Sequence, residues 1–494
     1  MKKIAVIAAL AAICTAASLD LAQAHASACP HWGRPAIAAD PRPHALRVFA
    51  IQFRQAPSSV TDAAAYAHAI DCALRLEVLP HLARGRANLV VFDEDIGLEA
   101  LGAGTRGAPV RALLRGGDPA CAGKAWPCAT LDLLAALDRS YGGPLAFLGR
   151  RFPHLANQLG RGFVAATDTF VRVFMTTMAD EARRYGVYIV ASNTQAPFGL
   201  TSDPRVVAAL HDPGTHGVRA VYAPTAGVAY DQTFLWGPRV VHRGAPDPVA
   251  NLIAVNRKVP LTSFEAALGF APGPARGAAA IANLRPVAIP GTLARLGFAT
   301  SLPAFVYGPV RPGHQCDDVT VSYMRCLSRL GANVVIQVDA NDGEWTGPDG
   351  NDTAETWQPL SWMGSAWRAV SDPTVFFTYA VNPFMVGNLS DTPFDGQSAI
   401  LERGRHGSRC DYVGDERFVP GEDDPALSAY AGPKPQFLAL APWVAPNAPR
   451  SALRPIGSAL AAASPGYRYV QTALIADLPF PVDATRPGCL VAGR

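Results

Sequence analysis

Short apolar runs alternate along this chain with longer amphipathic ones. Residues 45–53 (ALRVFAIQF) and 87–92 (ANLVVF) are apolar on both faces, the pattern of strands covered on both sides. Between them, residues 61–82 carry apolar positions at helical spacing behind Thr61 or Asp62 as cap. The same reasoning predicts strands over 187–193, 218–224, 228–236, 251–258, 293–301, 333–338, 374–382 and 398–404, and helices over 162–185, 319–330 and 357–370. Helices intervene between several strands and hairpin signals are few, which predicts a layered α/β domain over 45–404. Three stretches break the rhythm. Residues 97–157, rich in Gly, Leu and Ala, read as an insertion after the second strand, and 263–290 as a Gly/Ala/Pro loop. From 405 to 494 the chain is Pro-rich with little periodicity, and is expected to be a C-terminal extension wrapped on the domain.

Composition adds the compartment. The 494 residues are 49% apolar and 17% charged, ample for a large core. A net charge of +3, evenly spread, argues against nucleic acid or an anionic membrane as partner. Lys2 and Lys3, an apolar run over 4–17 and Ala22-Gln23-Ala24 form a signal peptide over 1–24 with a small-x-small cleavage site. The run is shorter than the ~20 residues of a membrane span, and no later stretch is long and apolar enough to make one. The mature chain is therefore expected to be exported, periplasmic or secreted, with no membrane span. Nine cysteines less Cys14 leave eight, an even number that suggests disulfides in an exported chain. Cys121 and Cys128 bracket a short loop; chain order alone suggests Cys29–Cys72, Cys316–Cys326 and Cys410–Cys489. There is no CxxC and the eleven histidines are scattered, so neither a metal nor an organic cofactor is expected.

The candidate chemistry lies where strands end. Glu94 follows the apolar strand 87–92, Lys258 ends the strand 251–258, and Ser301 ends the strand 293–301 at a tight LPAF corner. An acid, an amine and a hydroxyl, each just past a buried strand, are the parts of an amide-cleaving site. Asp93 and Asp95, flanking the acid, read as solvated carboxylates. Glu265, seven residues beyond Lys258, either orients that lysine or caps the segment after it. Asn341 and Trp345, in the polar loop after strand 333–338, are candidates for substrate binding, with Trp345 as a pocket wall.

Taken in order over 46–404, VVFDED, MADEARRYGVYIVAS, YDQTFLW, NRKVPL, GANVVIQVDANDGEW and FDGQSAILERG resemble the nitrilase, or carbon–nitrogen hydrolase, superfamily. The Asn341-Asp342-x-x-Trp345 loop is similar to that of the apolipoprotein N-acyltransferase branch. The resemblance implies a four-layer αββα sandwich, often oligomeric and so a homo-oligomer here. It also implies Glu94 as general base, Lys258 as the site lysine and a small-molecule amide or acyl substrate. The chain departs from the pattern at the nucleophile, where Ser301 stands in place of the family's cysteine. Cys316, followed by two aspartates, is the alternative nucleophile, although residues 309–314 before it form no strand. Three readings stay open: an exported hydrolase of a non-peptide amide or nitrile-type bond using serine, a catalytically silent binding protein on the same fold, or a hydrolase using Cys316. Acyl transfer to an amine is a further alternative.

Overall fold

Seven strands make one sheet and seven make a second. We number them β1 (Ala36–Ala38), β2 (Leu46–Gln52), β3 (Asn88–Val91), β4 (Tyr188–Gln195), β5 (Tyr230–Trp236), β6 (Leu252–Arg257), β7 (Val287–Ala288), β8 (Arg295–Phe298), β9 (Val334–Ile336), β10 (Tyr379–Asn382), β11 (Ala399–Glu402), β12 (Phe437–Leu440), β13 (Thr472–Leu478) and β14 (Leu490–Val491). The first sheet runs β1-β13-β2-β3-β4-β5-β6 and the second β14-β12-β11-β10-β9-β8-β7. The computed structural model describes residues 28–56, 59–116, 121, 128–343, 345, 358–389, 392–404, 437–442, 455, 459, 469–482 and 490–491. The signal peptide expected over 1–24 lies outside the described residues.

Alternation along each strand builds four layers. Val48 of β2, Val91 of β3 and Val190 of β4 share a core with Leu296 of β8, Ile336 of β9 and Val381 of β10, so the two sheets pack face to face. The intervening residues point outward. Phe49, Val90 and Ile189 pack under helices α1 (Ala63–Ala73) and α5 (Thr176–Tyr185) through Ile70 and Met178. On the far side, Val335 and Ala380 pack under α6 (Val319–Arg329) and α7 (Gln358–Ser371) through Leu327 and Trp367. This is an αββα sandwich. Strands buried on both faces read as unbroken apolar runs, which is why they stood out in the sequence. Burying each such aliphatic side chain contributes about 1.5–3 kcal/mol.

Local signals behave as expected at several ends. Asp62 caps α1, its carboxylate accepting the Ala65 N–H at 2.8 Å. Gly186 ends α5 at φ 68°. The parallel pairs β2/β3/β4 and β8/β9/β10 bring the strand ends that carry Glu94 and Ser301 to one edge of the sandwich.

Residues 97–157 carry helices: α2 (Gly104–Gly116), α3 (Cys128–Ser140) and α4 (Gly142–Arg151) occupy most of the stretch. Three expectations are corrected. Val221–Pro224 leaves the main sheet and pairs with Phe198–Thr201 instead. The 263–290 loop contains two short helices, Ser263–Leu268 and Gly277–Asn283. The C-terminal stretch does more than wrap the domain: β13 inserts between β1 and β2, fully buried, and β12 pairs with β11. Disulfides join Cys121 to Cys128 and Cys316 to Cys326. Cys29 and Cys72 are half-cystines as well, while Cys410 and Cys489 lie outside the described residues.

Candidate active site

β3 is buried along its whole length, and Phe92 extends its pairing by donating to the Val190 carbonyl. Three carboxylates follow. The chain turns at Asp95, whose φ of 57° lies in the left-handed region that aspartate tolerates better than most residues. The Asp95 N–H donates to Ser192 Oγ at 2.6 Å, and its Oδ1 accepts from Thr194 Oγ1 at 3.2 Å. This turn holds Glu94 in the cavity floor, 3% exposed. One oxygen of Glu94 accepts from Lys258 Nζ at 2.8 Å and the other from the Ala340 N–H at 2.7 Å.

Lys258 stands directly after β6, with its own N–H donating to the Asp231 carbonyl at 3.0 Å. Its ammonium contacts three carboxylates: Glu94 at 2.8 Å, Glu265 at 2.9 Å and Asp231 at 3.3 Å. Oxygens of these three acids lie within 4.8 Å of one another, a spacing that could ligate a metal, but Lys258 Nζ makes the contacts a cation would make there. Burial alone would lower the lysine's pKa. The charges of Glu265, Glu94 and Asp231 outweigh it and hold the group well above its usual value, as an ammonium. Burial pushes Glu94 up to about 7 against the pull of Lys258. Asp95 and Asp231 are raised well above the carboxylate range, again chiefly by burial. Glu265 both orients the lysine and caps. Its Oε1 takes the Lys258 contact, while its Oε2 accepts from the Thr262 N–H at 2.8 Å and hydroxyl at 2.9 Å in a capping box.

The hydroxyl comes from the other sheet. Past β8 the ladder continues, Ala299 N–H donating to Ile336 and Ser301 N–H to Val338, each at 2.9 Å. Ser301 then adopts φ 57°, ψ −120°, a conformation sparsely populated by L-residues, before the short 3₁₀ helix Leu302–Phe305. Thr300 beside it shares a 2.6 Å hydroxyl hydrogen bond with Thr233 of β5. Ser301 lines the same cavity as Glu94, Asp95, Lys258 and Glu265. Among the described residues its Oγ has no hydrogen-bond partner.

Other expectations fall away. Cys316 is tied to Cys326 and offers no thiol, so it is no longer a candidate nucleophile. Asn341 and Trp345 do not line the cavity. Asn341 is buried, with its amide reaching the Asp395 carbonyl at 3.3 Å, and Trp345 is core, packed edge-on to Phe384 at 5.3 Å. The neighbouring Asp342 and the later Trp362 reach the cavity instead. Asp93 is fully buried, taking a 3.3 Å hydrogen bond from Gln55, where a solvated carboxylate was expected. Asp231 was missed. It opens its strand beside Gln232 and Thr233, so the apolar-strand signal that singled out Glu94 does not mark it.

No family model and no curated protein matches this chain. Among solved structures it is similar to the amidase from Nesterenkonia sp. AN1. A cysteine-to-serine mutant of that amidase, described as from the nitrilase superfamily, is 13% identical over 73% of this chain and 85% of that chain, with a TM-score of 0.35. A mutant showing Michael addition of acrylamide at the active-site cysteine is 12% identical over 72% and 85%, with the same TM-score. A third, in complex with butyramide, is 14% identical over 73% and 85%, again at 0.35. Likeness at this level leaves the chemistry to be read from the side chains.

Proposed function

We propose that this chain is an exported carbon–nitrogen hydrolase that cleaves a non-peptide amide with a serine nucleophile. The observation that carries the reading is the Lys258 ammonium held between Glu94 and Glu265 on the floor of the cavity that Ser301 also lines. In the first step Ser301 Oγ bonds to the amide carbon and its proton passes to Glu94. Lys258 stabilises the oxyanion. The C–N bond then breaks, Glu94 returns the proton to the departing amine, and an acyl-serine remains. In the second step Glu94 takes a proton from water, the hydroxide attacks the ester, and the acid leaves as Oγ regains its proton. A carboxylate near 7 is a stronger base than an ordinary one, which favours proton removal from a hydroxyl.

A panel of simple amides, with mass spectrometry of the protein after rapid quench, tests this. Turnover with an acyl adduct on the Ser301 peptide, lost in Ser301→Ala and Glu94→Gln, is the expected result. Full rates in both variants would dismiss the mechanism. The second reading, a silent binding protein, is favoured by one feature: both Glu94 oxygens are already engaged, by Lys258 and Ala340. Binding without adduct or turnover across the panel would select it.

A further inference from the structure

We infer that the substrate's acyl group is apolar and of medium length, held in a cavity that the helical insertion builds over the acidic site; this rests on the hydrolase reading above. The cavity measures about 190 Å³. Its lining combines the acidic site, with Glu94, Lys258 and Ser301, and a majority of hydrocarbon and aromatic side chains. Leu98 and Leu101, which follow the catalytic turn, Leu114 of α2 and Leu134 of α3 make up part of its wall, with Phe270 and Trp362 also in the lining. The insertion therefore supplies apolar surface to the site, as well as bulk at its rim. A hydrogen bond of 2.9 Å between Thr130 of α3 and Thr392 ties that wall to the strand Thr392–Phe394.

The two kinds of lining assign the two halves of an amide. The Lys258 ammonium contacts Glu94, Asp231 and Glu265, with Asp95 close by. That polar part can return a proton to a departing amine through Glu94, and an apolar chain laid against it would desolvate these groups without compensation. The Leu and Phe side chains that make up most of the lining offer no partner for an amine or a charge, so they take the acyl chain. A dry apolar cavity of roughly 150 Å³ accommodates benzene. One of about 190 Å³ suits a phenyl group or a chain near that of hexanamide.

The test is a homologous series of acetamide, butanamide, hexanamide and decanamide. Each methylene that enters the cavity is expected to raise kcat/KM about fourfold. Hexanamide should exceed acetamide by on the order of 100-fold, and decanamide should fall back. Leu134→Trp, which fills the cavity, should move the optimum toward butanamide; Phe270→Ala, which enlarges it, should move the optimum toward decanamide. If Leu134→Trp does not fold, Phe270→Ala still decides. Acetamide as good a substrate as hexanamide, or an optimum unmoved by Phe270→Ala, would overturn the proposal. Calorimetry with Ser301→Ala separates this failure from that of the hydrolase reading. Hexanamide binding that far exceeds acetamide binding supports the apolar acyl site even if the native protein never cleaves either. No preference in binding rejects it.

Discussion

Thr300 and Thr233 share a hydroxyl hydrogen bond of 2.6 Å across the joint between the two sheets, one residue from Ser301. Both side chains are buried. Replacing one by valine leaves the other hydroxyl without a partner, which costs about 1–3 kcal/mol; replacing both restores an apolar contact of the same shape and is nearly neutral. Urea unfolding of Thr300→Val, Thr233→Val and the double variant should therefore give a coupling of opposite sign to the single losses. Simple addition of the two losses would mean that the hydroxyls do not act as a pair.

Buried carboxylates make stability fall as pH rises. Burial pushes Glu99 up to about 7, opposed by the hydrogen bond it accepts from the Ala56 N–H. The unfolded side chain titrates near ~4.3. Between those values the folded state holds more protons, so the contribution is complete below the lower pH and is lost as pH passes about 7. For Glu99 alone the loss is about 4 kcal/mol. Asp339, also raised to about 7 by burial, acts in the same direction. Denaturation midpoints should be higher at pH 5 than at pH 8, and Glu99→Gln should flatten the profile. A midpoint that climbs with pH in the native protein would contradict the sign.

How much of this was legible in the sequence follows from what each residue's neighbours are. Glu94 announced itself as a charge directly after a strand apolar on both faces, and Lys258 as a charge at the end of a strand. Asp231 was passed over because it opens its strand among polar neighbours, Gln232 and Thr233. Trp345 and Trp362 show the limit. Both are tryptophans in the same half of the chain, and only their packing decides that one is core and the other lines the cavity. The thiol of Cys316 disappears through a partner, Cys326, that chain order suggested but spacing could not prove. β13 was unreadable as a sheet member because its partner β2 lies more than four hundred residues earlier, as in the pair Leu474–Ala50.

Turnover should depend on pH in the direction set by its base. Glu94 must be unprotonated to accept the Ser301 proton, and burial places its pKa at about 7. The kcat/KM for the favoured amide should therefore rise with pH and level off above that value. Lys258 stays charged across this range, held up by Glu265, Glu94 and Asp231, and adds no descending limb near neutrality. A profile that is flat from pH 5 to 9 would remove Glu94 from the proton-transfer step.

Ser301 holds a backbone conformation that costs a non-glycine residue on the order of 1–3 kcal/mol. Glycine adopts positive φ without that cost but gives up about 0.5–1 kcal/mol of conformational entropy. Its hydroxyl forms no hydrogen bond among the described residues, so little is lost with the side chain. Ser301→Gly should thus be more stable than the native protein by about 1 kcal/mol, whereas Ser301→Ala, which keeps the strain, should not. Both should lack turnover. This separates a strained nucleophile from an incidental serine, because strain retained where the side chain makes no hydrogen bond is explained by the direction in which it aims Oγ. Equal urea midpoints for the glycine and alanine variants would show that the turn stores nothing, and the hydroxyl's position in the cavity would then need another cause.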